Sequence, residues 1–210
     1  MTAPSVRRRD GEQTRQRLLR SALELFTANG FRATTTPEIA QRAGVAEGTI
    51  YRHFTGKDHL LNEVYRTAQR WALAILVEID AEKAPGAPER LQRLGRRLFE
   101  AAERDPAALR MLFHPTSDKH LDDKSREAAR EVREQIEKIV AMGKSDGVVR
   151  TGPADLWAAI WLCIVEFSAT RISSKDWTPD HPHAALALEA AWDAVSGCRV
   201  SGAAALPERT

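Results

Sequence analysis

Apolar residues recur at spacings of three and four along most of the chain, and no stretch alternates with period two between turn signals. That pattern predicts an all-α fold. The first helix is expected from about Gly11 to Asn29, with Leu18, Leu19, Ala22, Leu25 and Phe26 on one face and Gly30 as its stop. Arg15, Arg17 and Arg20 fall mostly off that face. Two short segments follow, Pro37 to Ala43 and Glu47 to Phe54, separated by Gly44-Val45-Ala46. From Lys57 onward Leu61, Val64, Tyr65, Ala68, Ala72, Ile75, Leu76 and Ile79 keep helical register for more than about five turns. Such a length suits a connector between two domains.

The run Ala84-Pro85-Gly86-Ala87-Pro88 breaks that helix, and the next carries Leu91, Leu94, Leu98 and Ala102 as far as Asp105-Pro106. A short segment to Phe113 ends at His114-Pro115. Asp118 to Met142 reads as a charged surface helix whose narrow stripe is Leu121, Ser125, Ala128, Val132, Ile136, Ile139 and Gly143. The segment from Pro153 to about Ile172 differs in kind, because Trp157, Ile160, Trp161, Leu162, Ile164, Val165 and Phe167 make it apolar nearly all round. A soluble helix of that composition needs cover on both sides. The last helix, about Pro182 to Ser196, offers Leu186, Leu188, Ala191, Trp192 and Val195. Either these two helices (about 153–172 and 182–196) pack on a second subunit to form a four-helix homodimer interface, or the first is the buried central helix of a monomer.

Charge adds a direction to this picture. The formal net charge is only +2, but residues 1–60 hold ten Lys or Arg against six acids, leaving 21 against 23 for the remainder. The basic end is therefore the N-terminal one. At 210 residues and 43% apolar composition the chain is long enough to bury a real core. Cys163 and Cys198 form no C-x-x-C pair, so neither a disulfide framework nor a zinc knuckle is expected, and Cys163, inside the most apolar helix, is expected to be an inert buried thiol. Arg7 to Arg9 run into Asp10, Gly11 and Glu12 instead of an apolar stretch, which does not read as a signal peptide. The longest apolar run, Leu156 to Val165, is short for a bilayer and is followed by Glu166. A cytoplasmic protein without a membrane span is the expectation.

The most specific stretch is Thr34 to Val64, TTTPEIAQRAGVAEGTIYRHFTGKDHLLNEV. Thr36 is expected as an N-cap ahead of Pro37 at the first helical position, with Glu38 in the first turn. Ile39, Ala40 and Ala43 supply a small apolar face, Gly44 permits a tight turn and Val45 fills the angle between two helices. In the following helix Ile50 and Phe54 point inward at i, i+4, while Gly48, Thr49, Tyr51, Arg52 and His53 face outward. Exposed hydroxyls beside an Arg suit contact with a nucleic-acid groove.

These residues resemble the DNA-binding domain of the TetR family of bacterial repressors. The likeness takes in Ala22, Leu25, Phe26, Gly30 and Phe31 at the end of the first helix, then T-x-x-x-I-A-x-x-A-G-V, then G-T-I-Y-x-H-F leading to Lys57 and Leu60-Leu61. It covers roughly the first 65 residues of the chain. The resemblance implies a three-helix helix-turn-helix domain over 1–56 with a flexible arm at 1–10, a helical effector-binding and dimerisation domain over 57–200, and a disordered tail at 201–210. It further implies that Thr36 and Tyr51 touch phosphate, that Glu47, Gly48 and Thr49 meet base edges in the major groove, and that Lys57 holds a phosphate, with His53 near the backbone and Arg52 beside them. Arg7 to Arg9 either trail into the minor groove or form an unstructured basic tail. The partner implied is double-stranded operator DNA bound by a homodimer, and the activity is that of a repressor released from a palindromic operator by an unidentified small apolar or amphipathic effector.

Trp71, Phe99, Met111, Phe113, His114, Met142 and Trp161 are the candidate pocket residues, being large or adaptable groups on the helices that would surround an effector, with ordinary core packing as the plain alternative. His114 either orients a ligand or caps a helix end. His181 and His183, with Asp180, have some metal-ligand character that a loop before the last helix explains equally well. There is no G-x-S-x-G, no H-E-x-x-H and no Gly-rich phosphate loop, so no catalytic residue, cofactor or metal is expected. Two further readings stay open at this point, a DNA-binding dimer without an effector and a helical enzyme.

Overall fold

The computed structural model describes residues 4–82, 84–114 and 118–197. Its helices are α1 (Pro4–Asn29), α2 (Thr36–Ala43), α3 (Ile50–His53), α4 (Lys57–Ala81), α5 (Gly86–Arg104), α6 (Pro106–Phe113), α7 (Asp123–Ser145), α8 (Ala154–Ser173) and α9 (Pro182–Val195), with single 3-10 turns at Glu47–Thr49 and Asp118–His120. The described residues contain no strand, only an isolated antiparallel bridge between Val149 and Ser196. The class expected from the sequence is thus the class found.

Two boundaries differ, each for a local reason. α1 starts at Pro4, well ahead of Gly11, because a proline suits the first helical position and one interior glycine costs only about 1 kcal/mol. Arg7 to Arg9 therefore fall on helical backbone, while residues 1–3 and the expected tail at 201–210, like Cys198, lie outside the described residues. Asp122, not Asp118, begins α7: its carboxylate accepts from the Ser125 N–H at 2.8 Å, and the preceding residues form the separate 3-10 turn. The stripe of α7 accordingly runs through Ala129 in place of Ala128.

Two apolar cores result. The N-terminal one gathers Leu18, Phe26, Ile39, Ile50, Phe54 and Leu60 and draws in α4 as far as Ala68. It also takes Met111 from α6, Leu121, and Ala129 from α7. The C-terminal core is built from α4 from Ala72 onward, Leu109 of α6, and α5, α7, α8 and α9, around the fully buried Trp161. α9 reaches α5 at Gly95, where any Cβ would strike the Leu188 side chain. One helix, α4, thus belongs to both cores.

α8 buries Ala158, Trp161, Val165, Ala169 and Ile172 against this core. Its other side leaves Leu156 and Phe167 exposed, and α9 likewise leaves Leu186 exposed. Cys163 lies on that outer side as well, so it is exposed where a buried thiol was expected; the helix is apolar all round, but among the described residues its outer side is left largely open. α8 is long and apolar enough by length and composition to pass for a membrane span, with a mean hydropathy of 1.3, but Ala158, Trp161, Val165, Ala169 and Ile172 pack into the C-terminal core, and a core helix has the same composition.

Candidate nucleic-acid interface

α2 begins with a reciprocal cap. Thr35 Oγ1 accepts from the Glu38 N–H, and Glu38 Oε2 accepts from the Thr35 N–H at 2.8 Å and from its hydroxyl at 2.9 Å. The hydrogen bonds from the Thr35 backbone and hydroxyl hold the Glu38 carboxyl below its ordinary range. The cap is therefore Thr35, one residue earlier than expected, which places Thr36 inside the first turn. α2 ends at Gly44, whose φ of 65° is left-handed and whose N–H bonds to Ala40 and Gln41 carbonyls. A β-carbon there would have room, the nearest atom being Arg17 Nη1 at 3.9 Å, so it is the backbone conformation that calls for glycine.

After this turn Glu47–Thr49 forms one 3-10 turn that leads directly into α3. Ile50 and Phe54, 0% and 1% exposed, fix the segment to the core as the i, i+4 spacing implied. Glu47, Gly48, Tyr51 and Arg52 are exposed, and Thr49 and His53 are half-buried. Tyr51 is 56% exposed, yet its hydroxyl lies 3.3 Å from Thr36 Oγ1. That contact joins the start of α2 to α3 on one surface. The surface carries hydroxyls, Arg52 with no ion pair among the described residues, and the unobstructed Gly48 backbone, the donor set that phosphate oxygens and base edges accept.

Lys57, implied by the resemblance to hold a phosphate, is tied to the chain itself. Its ammonium donates to the Phe31 and Thr34 carbonyls at 2.9 Å each and stands 4.4 Å from the Phe31 ring centre. It stitches the α1–α2 connection to the start of α4, and one of its three N–H groups remains for a phosphate. Of the three arginines off the buried face of α1, Arg15 pairs with Glu63 and Arg20 with Glu24 and Asp105. Arg17 makes no ion pair among the described residues and reaches toward the Gly44 turn, which adds it to the surface.

A polar network ties this unit to the C-terminal one. Asn62, 3% exposed, donates to the Asp58 and His120 carbonyls and accepts from the Asp122 N–H, all at 2.8 Å. Arg66 bonds Asp122 and Glu63, and Glu63 also binds Arg15. Burial alone would raise the Glu63 and Asp122 carboxyls; hydrogen bonds from Arg66 and Arg15 to Glu63, and from Ser125 and Arg66 to Asp122, outweigh it and hold both below their ordinary values. The His120 ring lies against Phe31, centroids 4.3 Å apart. None of these ties was foreseen from the sequence.

In the C-terminal unit a cavity of about 310 Å³ lies among α4, α5, α6, α7 and α8, with Phe113 among its lining residues. Trp71 lines a separate groove of about 440 Å³ between α1, α4, α5 and α6. Phe99, Met111 and Trp161 do not line the cavity: they lie 2%, 0% and 1% exposed in the two cores, since large apolar groups at inward register pack before they line. Met142 is partly buried against the C-terminal core and lines neither space. His114 is exposed, with Nε2 2.7 Å from Glu166 Oε1. His181 Nδ1 accepts from the His183 N–H at 3.1 Å as the N-cap of α9, and no group of three metal ligands occurs among the described residues.

A capped helix, a left-handed glycine turn and a short helix with its exposed face outward make this a helix-turn-helix protein on an all-helical body. The family model described as bacterial regulatory proteins, tetR family, matches residues 18–64. The "Uncharacterized HTH-type transcriptional regulator TtgW" of Pseudomonas putida is 32% identical over 91 residues, which are 36% of this chain and 68% of that protein. The HTH-type transcriptional repressor KstR2 of Mycobacterium tuberculosis is 37% identical over 101 residues, 48% of each chain; for such curated relatives the match spans about half their length. A TetR family transcription regulator from Marinobacter aquaeolei VT8 has the same fold, with a TM-score of 0.78, 22% identity and coverage of 90% of this chain and 98% of that one. The chain belongs to the TetR family of bacterial regulatory proteins.

Proposed function

We propose that this protein is a cytoplasmic transcriptional repressor that binds palindromic double-stranded DNA as a homodimer and releases it when a small apolar or amphipathic effector enters the C-terminal unit. The observation that carries the reading is the continuous outward surface of Thr36, Gly48, Tyr51 and Arg52, anchored from behind by Ile50 and Phe54. Thr36, Tyr51 and the spare N–H of Lys57 take phosphates, with Arg17 and His53 beside the backbone. Gly48 and Thr49 approach base edges, and Glu47 accepts from a cytosine amino group. The partner subunit seats on Leu156, Phe167 and Leu186, an apolar face on two adjacent helices that stays about half exposed among the described residues. The same face supports the dimer over a monomer in which α8 is buried on all sides.

The family is one of regulators and not of enzymes, which removes the helical enzyme. A dimer without an effector remains the second reading, and the cavity favours the first. The test is selection of bound sequences from a random duplex library, followed by titration of the winning duplex at several salt concentrations. Steep salt dependence is expected, each neutralised phosphate adding about −0.9 to the log–log slope. Tyr51→Ala should weaken binding while leaving the dimer intact, and wild-type affinity in that variant would reject the assignment.

A further inference from the structure

Gln69 stands on the inner face of α4, in the register of Tyr65, Ala72 and Leu76 that forms one wall of the central cavity. It is only 4% exposed. Its amide has two N–H donors and a carbonyl acceptor, yet it makes no side-chain hydrogen bond among the described residues. Buried amides are normally paired, so this one awaits a partner from inside the cavity. Arg133 of α7 lines the same space and makes no ion pair among the described residues, although Arg66, Arg90, Arg93 and Arg97 all find carboxylates. No acid lines the cavity; apart from Gln69, Arg133 and the Tyr65 hydroxyl, its walls are alanine, leucine, valine, isoleucine and phenylalanine.

That inventory discriminates among ligands. A cation would find no carboxylate and would face Arg133. A hydrocarbon would leave the Gln69 amide as it is, unpaired. A carboxylate accepts from both the amide and the guanidinium, and the carbon walls accept the rest of the molecule. Size sets a further limit, because a space of about 310 Å³ holds roughly ten water-sized groups at about 30 Å³ each. We propose that the cavity binds a compact apolar monocarboxylate, its carboxylate held by Gln69 and Arg133 and its hydrocarbon body packed among Leu76, Leu98 and Val132. This rests on the reading of the cavity as the effector site and adds the chemical class of the occupant.

Sodium octanoate and 1-octanol share a chain and differ in the end group, so calorimetric titration of the full-length protein with each tests the assignment. Octanoate is expected to bind at least about tenfold more tightly than octanol. Gln69→Leu and Arg133→Gln should each weaken octanoate about tenfold or more and leave octanol unchanged. Gln69→Leu should also melt at a higher temperature than the parent, which shows that the variant folds. Equal binding of the two compounds, or octanoate binding untouched by Gln69→Leu, would overturn the proposal; so would binding of neither, with water then satisfying the amide. A gel-shift arm separates the two readings. If octanol displaces the selected duplex as well as octanoate does, the cavity stands as an effector site and only the carboxylate is lost. If octanoate binds as expected but no duplex is bound at all, the carboxylate stands and the DNA-binding reading is lost.

Discussion

Replacing Asn62 with Ala removes the side chain that joins α4 to the segment entering α7. Three hydrogen bonds of 2.8 Å disappear together, those to the Asp58 and His120 carbonyls and that from the Asp122 N–H. An unsatisfied buried group costs about 1–3 kcal/mol, but His120 is half-buried and Asp122 exposed, so water reaches part of what is left behind and the low end applies. With the lost packing of a side chain that is 3% exposed, the total is about 2–3 kcal/mol. For a chain of this size that corresponds to a fall of roughly 5–10 °C in Tm, measured calorimetrically at one fixed protomer concentration. Asn62→Asp sharpens the test. It keeps the acceptor for Asp122 but turns a carboxylate oxygen toward two carbonyl oxygens, so it should destabilise at least as much as Ala. Arg126→Ala, which removes an exposed pair with Asp123, should change stability by less than about 0.5 kcal/mol. A loss below about 0.5 kcal/mol in Asn62→Ala, or an Asp variant as stable as wild type, would refute the role given to this network.

Other outcomes follow from the same structure. Phe167→Glu combined with Leu186→Glu places charge on the uncovered faces of α8 and α9, and sedimentation should then find a monomer that keeps its helical spectrum; an unchanged dimer would put the interface elsewhere. Glu24, Glu63 and Asp122 are held below ordinary values of 4.5, 4.5 and 3.8, so the unfolded chain binds more protons on acidification. Their contribution is complete at neutral pH and declines as the pH drops through and below that range. Urea titrations of Arg66→Gln should therefore show a shallower acid limb than wild type, and an identical limb would remove Arg66 from the account.

The fold was legible because it rests on periodicity and punctuation. Ile50 and Phe54 declared their burial by spacing, Gly44 its turn, and the break at Ala84 to Pro88 the end of α4. Thr35 was missed because Thr34, Thr35 and Thr36 are all competent caps, and only the reach of Glu38 selects among them. The outward residues of α3 were found because their neighbours at i, i+4 had to point inward. The pocket residues fared worse. Size and polarisability drew attention to Phe99, Met111 and Trp161, but those properties also make good core, and burial decided for core. Gln69 carried the better signal, a polar residue in the apolar register between Tyr65 and Ala72. The cross-domain ties of Asn62 and His120 span 58 and more residues of sequence and had no local signature.

How the cavity could speak to the outward surface of α2 and α3 is constrained by α6. That helix is eight residues long and begins on the Asp105 cap. Leu112 and Phe113 line the cavity, while Met111, 0% exposed, is packed into the N-terminal core. Arg110 donates to the Thr27 carbonyl near the end of α1, and Asp105 holds Arg20 on the same helix. An occupant that displaces Phe113 is expected to shift α6 and, through Met111, Arg110 and Asp105, α1 as well, because interiors packed to crystal-like density tend to transmit a shift. α1 in turn carries the residues against which α2 packs. Met111→Ala loosens this lever without touching the cavity wall or the outward side chains of α2 and α3. If α6 is the route, that variant should bind both octanoate and duplex and show a reduced effect of one on the other; coupling equal to wild type would place the route in α4 alone.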